Sequence, residues 1–63
     1  MEAKPQVKLV GQDGNAFSIL GRCQRAARTA KWDKVRIDAF MEEATSGDYD
    51  HLLQTVMRNF DVH

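Results

Sequence analysis

Three arginines recur at every third position in the stretch GRCQRAARTA. If this stretch is helical, Arg22, Arg25 and Arg28 fan across its exposed side, each turned by about 60° from the last. Guanidinium groups with no acidic neighbour can grip phosphates or the acidic groups of a partner. The alternative is a solvated helix face whose arginines pair with acidic groups of the other helices or of a second copy.

Two carboxylates and an imidazole lie close together in the stretch SGDYDHLL. A metal site would need further ligands, and the chain offers no HxxxH or similar pair. Asp48 suits the N-cap of a helix, and Asp50 suits its first turn, where a carboxylate interacts favourably with the helix dipole. We therefore expect a helix start here, with His51 in its first turn, and no metal or other cofactor.

The single cysteine and the single tryptophan both fall among apolar residues. Cys23 is expected to act as a small buried hydrophobic residue, and no histidine can be placed beside it as a base, so we expect no catalytic residue and no enzyme. Trp32 stands between the first and second predicted helices. We expect it to anchor the core, and the alternative is an exposed hot spot that joins the arginines in binding a partner.

The elements that must position these residues follow from periodicity. The segment QVKLVG alternates and predicts a short extended lead-in. The pair Asp13-Gly14 is a hairpin signal that would make NAFSIL a returning strand. A helix from the N-cap Asn15 to about Ala30 is favoured instead, because the apolar residues then share one side: Ala16, Phe17, Ile19, Leu20, Cys23, Ala26, Ala27 and Ala30.

Two further helices are predicted. The second begins at the N-cap Asp33, with Trp32 and Ile37 placed as a hydrophobic staple and Gly47 as the stop. Asp48 begins the third helix. The predicted inward residues are Ile37, Phe40, Met41 and Ala44 in the second helix and Tyr49, Leu52, Leu53, Val56 and Met57 in the third. In the tail, Phe60 and Val62 alternate and are predicted to pair with residues 7 to 10.

The predicted fold is mainly α, a small three-helix bundle with a short N-terminal extended segment and a short C-terminal strand. Residues 1–63 form one domain, of which residues 1–6 are expected to be flexible. No segment approaches the roughly 18 to 20 apolar residues that span a bilayer, and none resembles a signal peptide, so a cytoplasmic location is expected.

Charge divides the chain into two halves. Residues 1–36 carry eight basic residues against three acidic ones, a net charge of +5, whereas residues 37–63 carry one against six, a net charge of −5. The overall balance argues against a protein that mainly coats nucleic acid or an anionic membrane. The asymmetry would steer a complementary encounter with another protein or a second copy.

The stretches LVGQDGNAFSILGR and EATSGDYDHLL resemble the hallmark stretches of a family of small, uncharacterised bacterial proteins. The resemblance spans the chain from about Val7 to Val62. It implies a stand-alone bacterial cytoplasmic domain and transfers no functional residue.

The sequence thus favours a non-enzymatic module that binds another protein or itself, with Arg22, Arg25 and Arg28 as basic contacts and Trp32 as a candidate anchor. The core is small, so a partner that covers exposed apolar groups would also stabilise the domain. The alternative is a small nucleic-acid-binding protein that places the same arginines on phosphates, although no aromatic residues are interleaved with them.

Overall fold

The computed structural model describes residues 4–12 and 14–63. In chain order these residues form β1 (Gln6–Val7), α1 (Ala16–Thr29), α2 (Lys34–Ala44), α3 (Tyr49–Asn59) and β2 (Asp61–Val62). The predicted three-helix fold with short extended ends is confirmed, and the hairpin alternative for NAFSIL is wrong. Asp13 and residues 1–3, on which parts of the turn and flexibility predictions rest, lie outside the described residues. Gln6, which was expected to be flexible, belongs to β1.

Each helix begins at the N-cap that the sequence predicts. The cap side chain accepts a hydrogen bond from a backbone N–H of the first turn, which would otherwise lack an acceptor. Asp50 lies in the first turn of α3, as expected from the helix dipole. The three capping bonds are Phe17 N–H to Asn15 Oδ1 at 2.8 Å, Arg36 N–H to Asp33 Oδ1 at 2.8 Å, and His51 N–H to Asp48 Oδ1 at 2.9 Å.

Helix α1 ends in a Schellman motif. Trp32 N–H donates to the Ala27 carbonyl at 3.0 Å, and Lys31 N–H donates to the Arg28 carbonyl at 2.9 Å. Lys31 occupies the left-handed position of this motif with φ of 65°, where glycine is the usual residue. The motif turns the chain sharply and delivers Trp32 into the core.

Helix α2 ends at Ala44, three residues before the predicted stop at Gly47. The described residues with positive φ are Gly11 and Lys31, so Gly47 is not a left-handed helix terminator. The hydroxyl of Thr45 donates to a carbonyl of the last turn, that of Met41, at 2.8 Å. Side-chain hydroxyls therefore replace the glycine cap that the sequence suggested.

Strands β1 and β2 pair in parallel, with Gln6 opposite Asp61 and Val7 opposite Val62. The pairing continues beyond the strands, where His63 accepts a hydrogen bond from Leu9 N–H at 2.6 Å. The predicted association of the tail with the N-terminal segment is confirmed. It brings β1 and β2 together beside α1 and α3.

The core is built around three aromatic rings. Trp32 stacks on Phe60 with ring centroids 5.1 Å apart, and Phe40 meets both rings edge-on. Thr55, which the apolar pattern missed, is buried at 1% exposure because its hydroxyl donates to the His51 carbonyl at 2.8 Å. The buried apolar residues are Val7, Ile19, Leu20, Cys23, Ala27, Trp32, Ile37, Phe40, Ala44, Leu52, Val56 and Phe60.

Three large residues predicted to face inward are exposed instead. Phe17 is 86% exposed because it stands at the margin of the apolar side of α1, in the first turn. Met57 is 55% exposed because it is rotated away from the side of α3 that Leu52 and Val56 define. Tyr49 is 45% exposed, and its hydroxyl donates to the Gly14 carbonyl at 2.6 Å. Periodicity predicted the positions of the helices correctly, but it assigned too many residues to their buried sides.

Ala30, predicted on the apolar side of α1, is also exposed, since it follows the last turn of the helix as its C-cap. No helix in the described ranges is both long and apolar enough to cross a bilayer.

Candidate functional site

The three predicted arginines lie along α1 and differ in their surroundings. Arg25 and Arg28 are exposed, and Arg28 lies in the last turn, where its charge is favourable to the helix dipole. Arg22 is half-buried, and its Nη2 donates to Gln12 Oε1 at 2.6 Å. Of the three arginines predicted to fan across the exposed side, here called the basic face, two are exposed and Arg22 is half-buried.

None of the three arginines forms an ion pair with a described residue. The ion pairs within residues 4–12 and 14–63 join Lys34 to Asp38 at 4.0 Å and His51 to Glu43 at 2.9 Å. The alternative in which acidic groups of α2 or α3 neutralise the basic face is thus wrong for the described part of the chain. Within residues 4–12 and 14–63, no ion pair therefore neutralises the charge of the basic face.

Trp32 is a core residue and not a surface anchor. Its exposure is 7%, and the guanidinium carbon of Arg36 lies 3.9 Å from the ring centroid. The main expectation of a core anchor is confirmed, and the alternative of an exposed hot spot is wrong. A residue so covered cannot contact a partner without opening the core.

The exposed aromatic residue of α1 is Phe17, whereas Trp32 is buried. It lies two turns before Arg25 at i, i+4, i+8 spacing, and the middle position is Gly21, around which a Cβ would meet nothing within 4 Å. The ring of Phe17 is therefore followed along the helix by Gly21, which has no side chain, and then by Arg25 of the basic face. The sequence did not predict the exposure of Phe17, because its neighbour Ala16 and the apolar spacing placed it on the buried side of the helix.

A groove of about 430 Å³ runs between β1 and the basic face. Residues 5–8 form one wall, and Arg22, Arg25 and Ala26 belong to the other. The charged side chains that line it, Lys8, Arg22 and Arg25, are all basic. The sequence could not predict the groove, because it depends on how the N-terminal segment crosses α1.

One donor of Arg22 at this groove has no acceptor. Its Nε is shut off from solvent and has no hydrogen-bond partner among the described residues. A buried polar group without a partner costs about 1–3 kcal/mol. Because this nitrogen is closed to solvent, it does not face the groove, and the positive charge of the groove comes from its lining residues Lys8, Arg22 and Arg25.

A second polar cluster joins α2 to α3. Nε2 of His51 lies 2.9 Å from Glu43 Oε2, 2.9 Å from the Glu43 carbonyl and 3.2 Å from Ser46 Oγ. The Ser46 hydroxyl donates to the Glu43 carbonyl at 2.7 Å and to Glu43 Oε2 at 3.0 Å. The hydrogen bonds to the carboxylate hold the pKa of the Glu43 carboxyl below its ordinary value, His51 being the larger cause and Ser46 the second.

This cluster contains serine, histidine and glutamate, but it lacks the arrangement of a nucleophilic serine. In such sites one imidazole nitrogen accepts the hydroxyl proton while the other is held by the carboxylate. Here Nε2 faces the Glu43 carboxylate and carbonyl oxygens, so it must donate and cannot serve as a base towards Ser46. The geometry fits a structural role, in which these hydrogen bonds join the end of α2 to the start of α3.

Cys23 is completely buried, and burial raises the pKa of its thiol to about 11. A thiol in this state is not a nucleophile near neutral pH. Within the described residues, no three His, Cys, Asp or Glu side chains are grouped so that they could hold a metal ion. The basic face, Phe17 and the adjoining groove thus form the candidate site.

Comparison with known proteins adds no family to this description: no family model, curated protein or solved structure matches the chain.

Proposed function

We propose that this protein is a non-enzymatic interaction module that binds an acidic region of a partner protein through the outer side of α1. The observation that carries the proposal is the basic face itself, whose three arginines have no ionic partner among the described residues. Arg25 and Arg28 are exposed, and Arg22 uses one nitrogen on Gln12. Arginine is enriched at protein interfaces because its planar fork pairs with carboxylates.

Phe17 supports a protein partner over a nucleic acid. A phenylalanine exposed to 86% on the same helix side supplies the apolar contact that protein interfaces combine with arginine. Single-stranded nucleic acids are held instead by a series of aromatic platforms along a basic channel. The described part of α1 carries this one aromatic ring, which suits an anchor better than a stacking platform.

The proposal is tested with a fluorescent peptide that alternates Glu and Val and with a fluorescent DNA duplex, both measured by anisotropy. We expect the peptide to bind and the duplex to bind more weakly at physiological salt. Arg25→Glu and Arg28→Glu should each weaken peptide binding at least about tenfold, because reversing a charge turns an attraction into a repulsion. Phe17→Ala should weaken it by a smaller factor.

The matched control is Lys34→Glu. It makes the same charge change at an exposed basic residue of α2, away from the basic face. The proposal requires that this variant bind the peptide within a factor of about two of the parent chain, since only screened long-range charge is altered. If Lys34→Glu and Arg25→Glu lost the same affinity for the peptide, binding would depend only on the net charge of the protein, and the proposed site would be wrong. Tighter binding of the duplex, with a steep salt dependence, would replace the proposal with nucleic-acid binding.

A further inference from the structure

The outer edge of β1 offers backbone groups that no described residue pairs with. Asp61 N–H donates to the Pro5 carbonyl at 2.8 Å, and His63 N–H donates to the Val7 carbonyl at 3.0 Å. Successive residues of a strand direct their hydrogen-bonding groups to opposite sides. The N–H and C=O groups of Gln6 and Lys8 therefore point away from β2, where the described chain supplies no partner.

The groove lies along this same edge. Its walls contain residues 5–8 and α1 residues, but none from β2, so the groove is on the side of β1 that faces away from β2. An extended chain lying in the groove could reach the backbone of Gln6 and Lys8 on one side. On the other side it would meet the guanidinium groups of Arg22 and Arg25.

We propose that the groove accepts an extended, acidic segment of a partner protein, which adds to β1 as a third strand. This inference rests on the proposed function and specifies how the partner binds. Strand addition uses main-chain hydrogen bonds for affinity and alternate side chains for specificity. The basic lining, Lys8, Arg22 and Arg25, selects carboxylates at the alternate positions, because guanidinium and ammonium groups pair with carboxylate oxygens through charge-assisted hydrogen bonds.

A second copy of this chain fits the groove poorly. Pairing of two β1 edges would bring Lys8 and Arg25 of each copy towards the same residues of the other, at a cost from like charges. The acidic residues 37–63 cannot serve as the added strand either, because most of them belong to α2 and α3. The charge of the groove therefore favours a different, acidic chain.

The test observes the backbone amides of the intact protein by nuclear magnetic resonance, with the Glu–Val peptide as the probe. Strand addition predicts that the amide protons of Gln6 and Lys8 move downfield and exchange more slowly when the peptide is added. A peptide held by charge alone would move signals of the arginine side chains and leave these two amides unchanged. That second result would overturn strand addition and leave the proposed function standing.

The peptide itself provides the sharpest control. N-methylation of alternate residues removes the N–H groups on one side of the peptide without changing its charge. The form methylated on the side that pairs with β1 should bind about tenfold more weakly, as expected for the loss of one or two hydrogen bonds. The form methylated on the opposite side should bind like the parent peptide. Equal affinity of all three peptides would refute strand addition.

A variant pair checks the edge from the protein side. Lys8→Pro removes an outward N–H that β2 does not use, a position where an edge strand tolerates proline, while Lys8→Ala removes the lysine side chain beyond Cβ and keeps that N–H. We expect Lys8→Pro to bind the parent peptide several-fold more weakly than Lys8→Ala. If the two variants bind the peptide equally, strand addition is wrong. If Arg25→Glu also leaves the affinity for the peptide unchanged, the proposed function is wrong as well. The helical circular dichroism of both variants establishes that they remain folded.

Discussion

Gly47 is required by the imidazole of His51 and not by a left-handed turn. A Cβ at this position would lie 2.9 Å from both Cβ and Cγ of His51, closer than real Cβ atoms approach. We expect Gly47→Ala to lower the free energy of unfolding by about 1–2 kcal/mol, because the start of α3 must shift to make room. Urea unfolding followed by circular dichroism measures the change.

Gly21 is the matched control for this substitution. It lies inside α1 with open space around it, so Gly21→Ala should raise the free energy of unfolding by about 0.5–1 kcal/mol through helix propensity alone. The two glycines are thus expected to respond with opposite signs. Stabilisation by Gly47→Ala would show that the chain between α2 and α3 adapts freely and that the contact with His51 is unimportant.

Glu43 makes stability depend on pH in the acidic range. Its hydrogen bonds to His51 and Ser46 lower the pKa of its carboxyl from the ordinary value of 4.5. A carboxyl with a lowered pKa stabilises the fold above its unfolded pKa, and this contribution is lost as the pH falls through the folded pKa. We therefore expect Glu43→Gln to be less stable than the parent chain at pH 6 and to approach it below about pH 4.

Denaturant midpoints measured between these pH values for both chains supply the comparison. Glu42→Gln is the control, since Glu42 is an exposed neighbour whose side chain makes no described contact with His51. A constant difference between Glu43→Gln and the parent chain at every pH would mean that the effect of the substitution is not linked to this ionisation.

At the scale of the elements, the connection between α1 and α2 depends on a strained residue. Lys31 adopts φ of 65° at the Schellman position, where a side chain costs about 1 kcal/mol relative to glycine. We expect Lys31→Gly to raise the free energy of unfolding by about 0.5–1 kcal/mol, the gain being reduced by the greater freedom of glycine in the unfolded chain. Thermal unfolding detects this change as a higher midpoint.

Lys31→Ala separates the backbone effect from the loss of charge. Alanine keeps the Cβ that the left-handed conformation disfavours, so this variant should be no more stable than the parent chain. Equal stabilisation by alanine and glycine would assign the effect to the removed Lys31 side chain and not to the backbone conformation.

The same elements show what the sequence determines and what it does not. Asn15, Asp33 and Asp48 were identified as caps because their side chains act on backbone groups two or three residues away, which is a local matter. Phe17 and Met57 were misplaced because their burial depends on how far neighbouring helices extend over them. Local chemistry therefore determines where the helices begin. Packing between the helices determines whether residues at the margin of a buried side are covered.

The candidate site divides in the same way. The arginines of the basic face were recognised from spacing, since three positions on one exposed helix side can be read directly from the chain. The groove, the unpaired edge of β1 and the tie between Glu43 and His51 join residues from different elements. No sequence pattern within a single element predicts such contacts, because they form only when different elements pack against one another.

At the scale of the whole molecule, β2 is what holds the proposed docking edge in place. Besides the ladder that pairs β2 with β1, the tail forms four hydrogen bonds with residues 5–10, between 2.6 and 3.1 Å long, and Val7 is buried at 4% exposure. Removal of residues 61–63 would leave Phe60 and the aromatic core in the chain but release the N-terminal segment. At about 0.5–1.5 kcal/mol for each of these four hydrogen bonds, we expect the free energy of unfolding to fall by roughly 2–6 kcal/mol.

The shortened chain should also lose affinity for the acidic peptide, because a mobile segment must be ordered before it can pair with an added strand. Hydrogen exchange at Leu9 and Val10, which both donate to His63, should accelerate in the shortened chain before exchange in the helices does. Asp61→Ala keeps every backbone bond of the tail and is expected to change stability by less than about 0.5 kcal/mol. If the shortened chain bound the peptide as tightly as Asp61→Ala, the edge of β1 would not be the docking site, and binding would have to be assigned to the side chains of α1 alone.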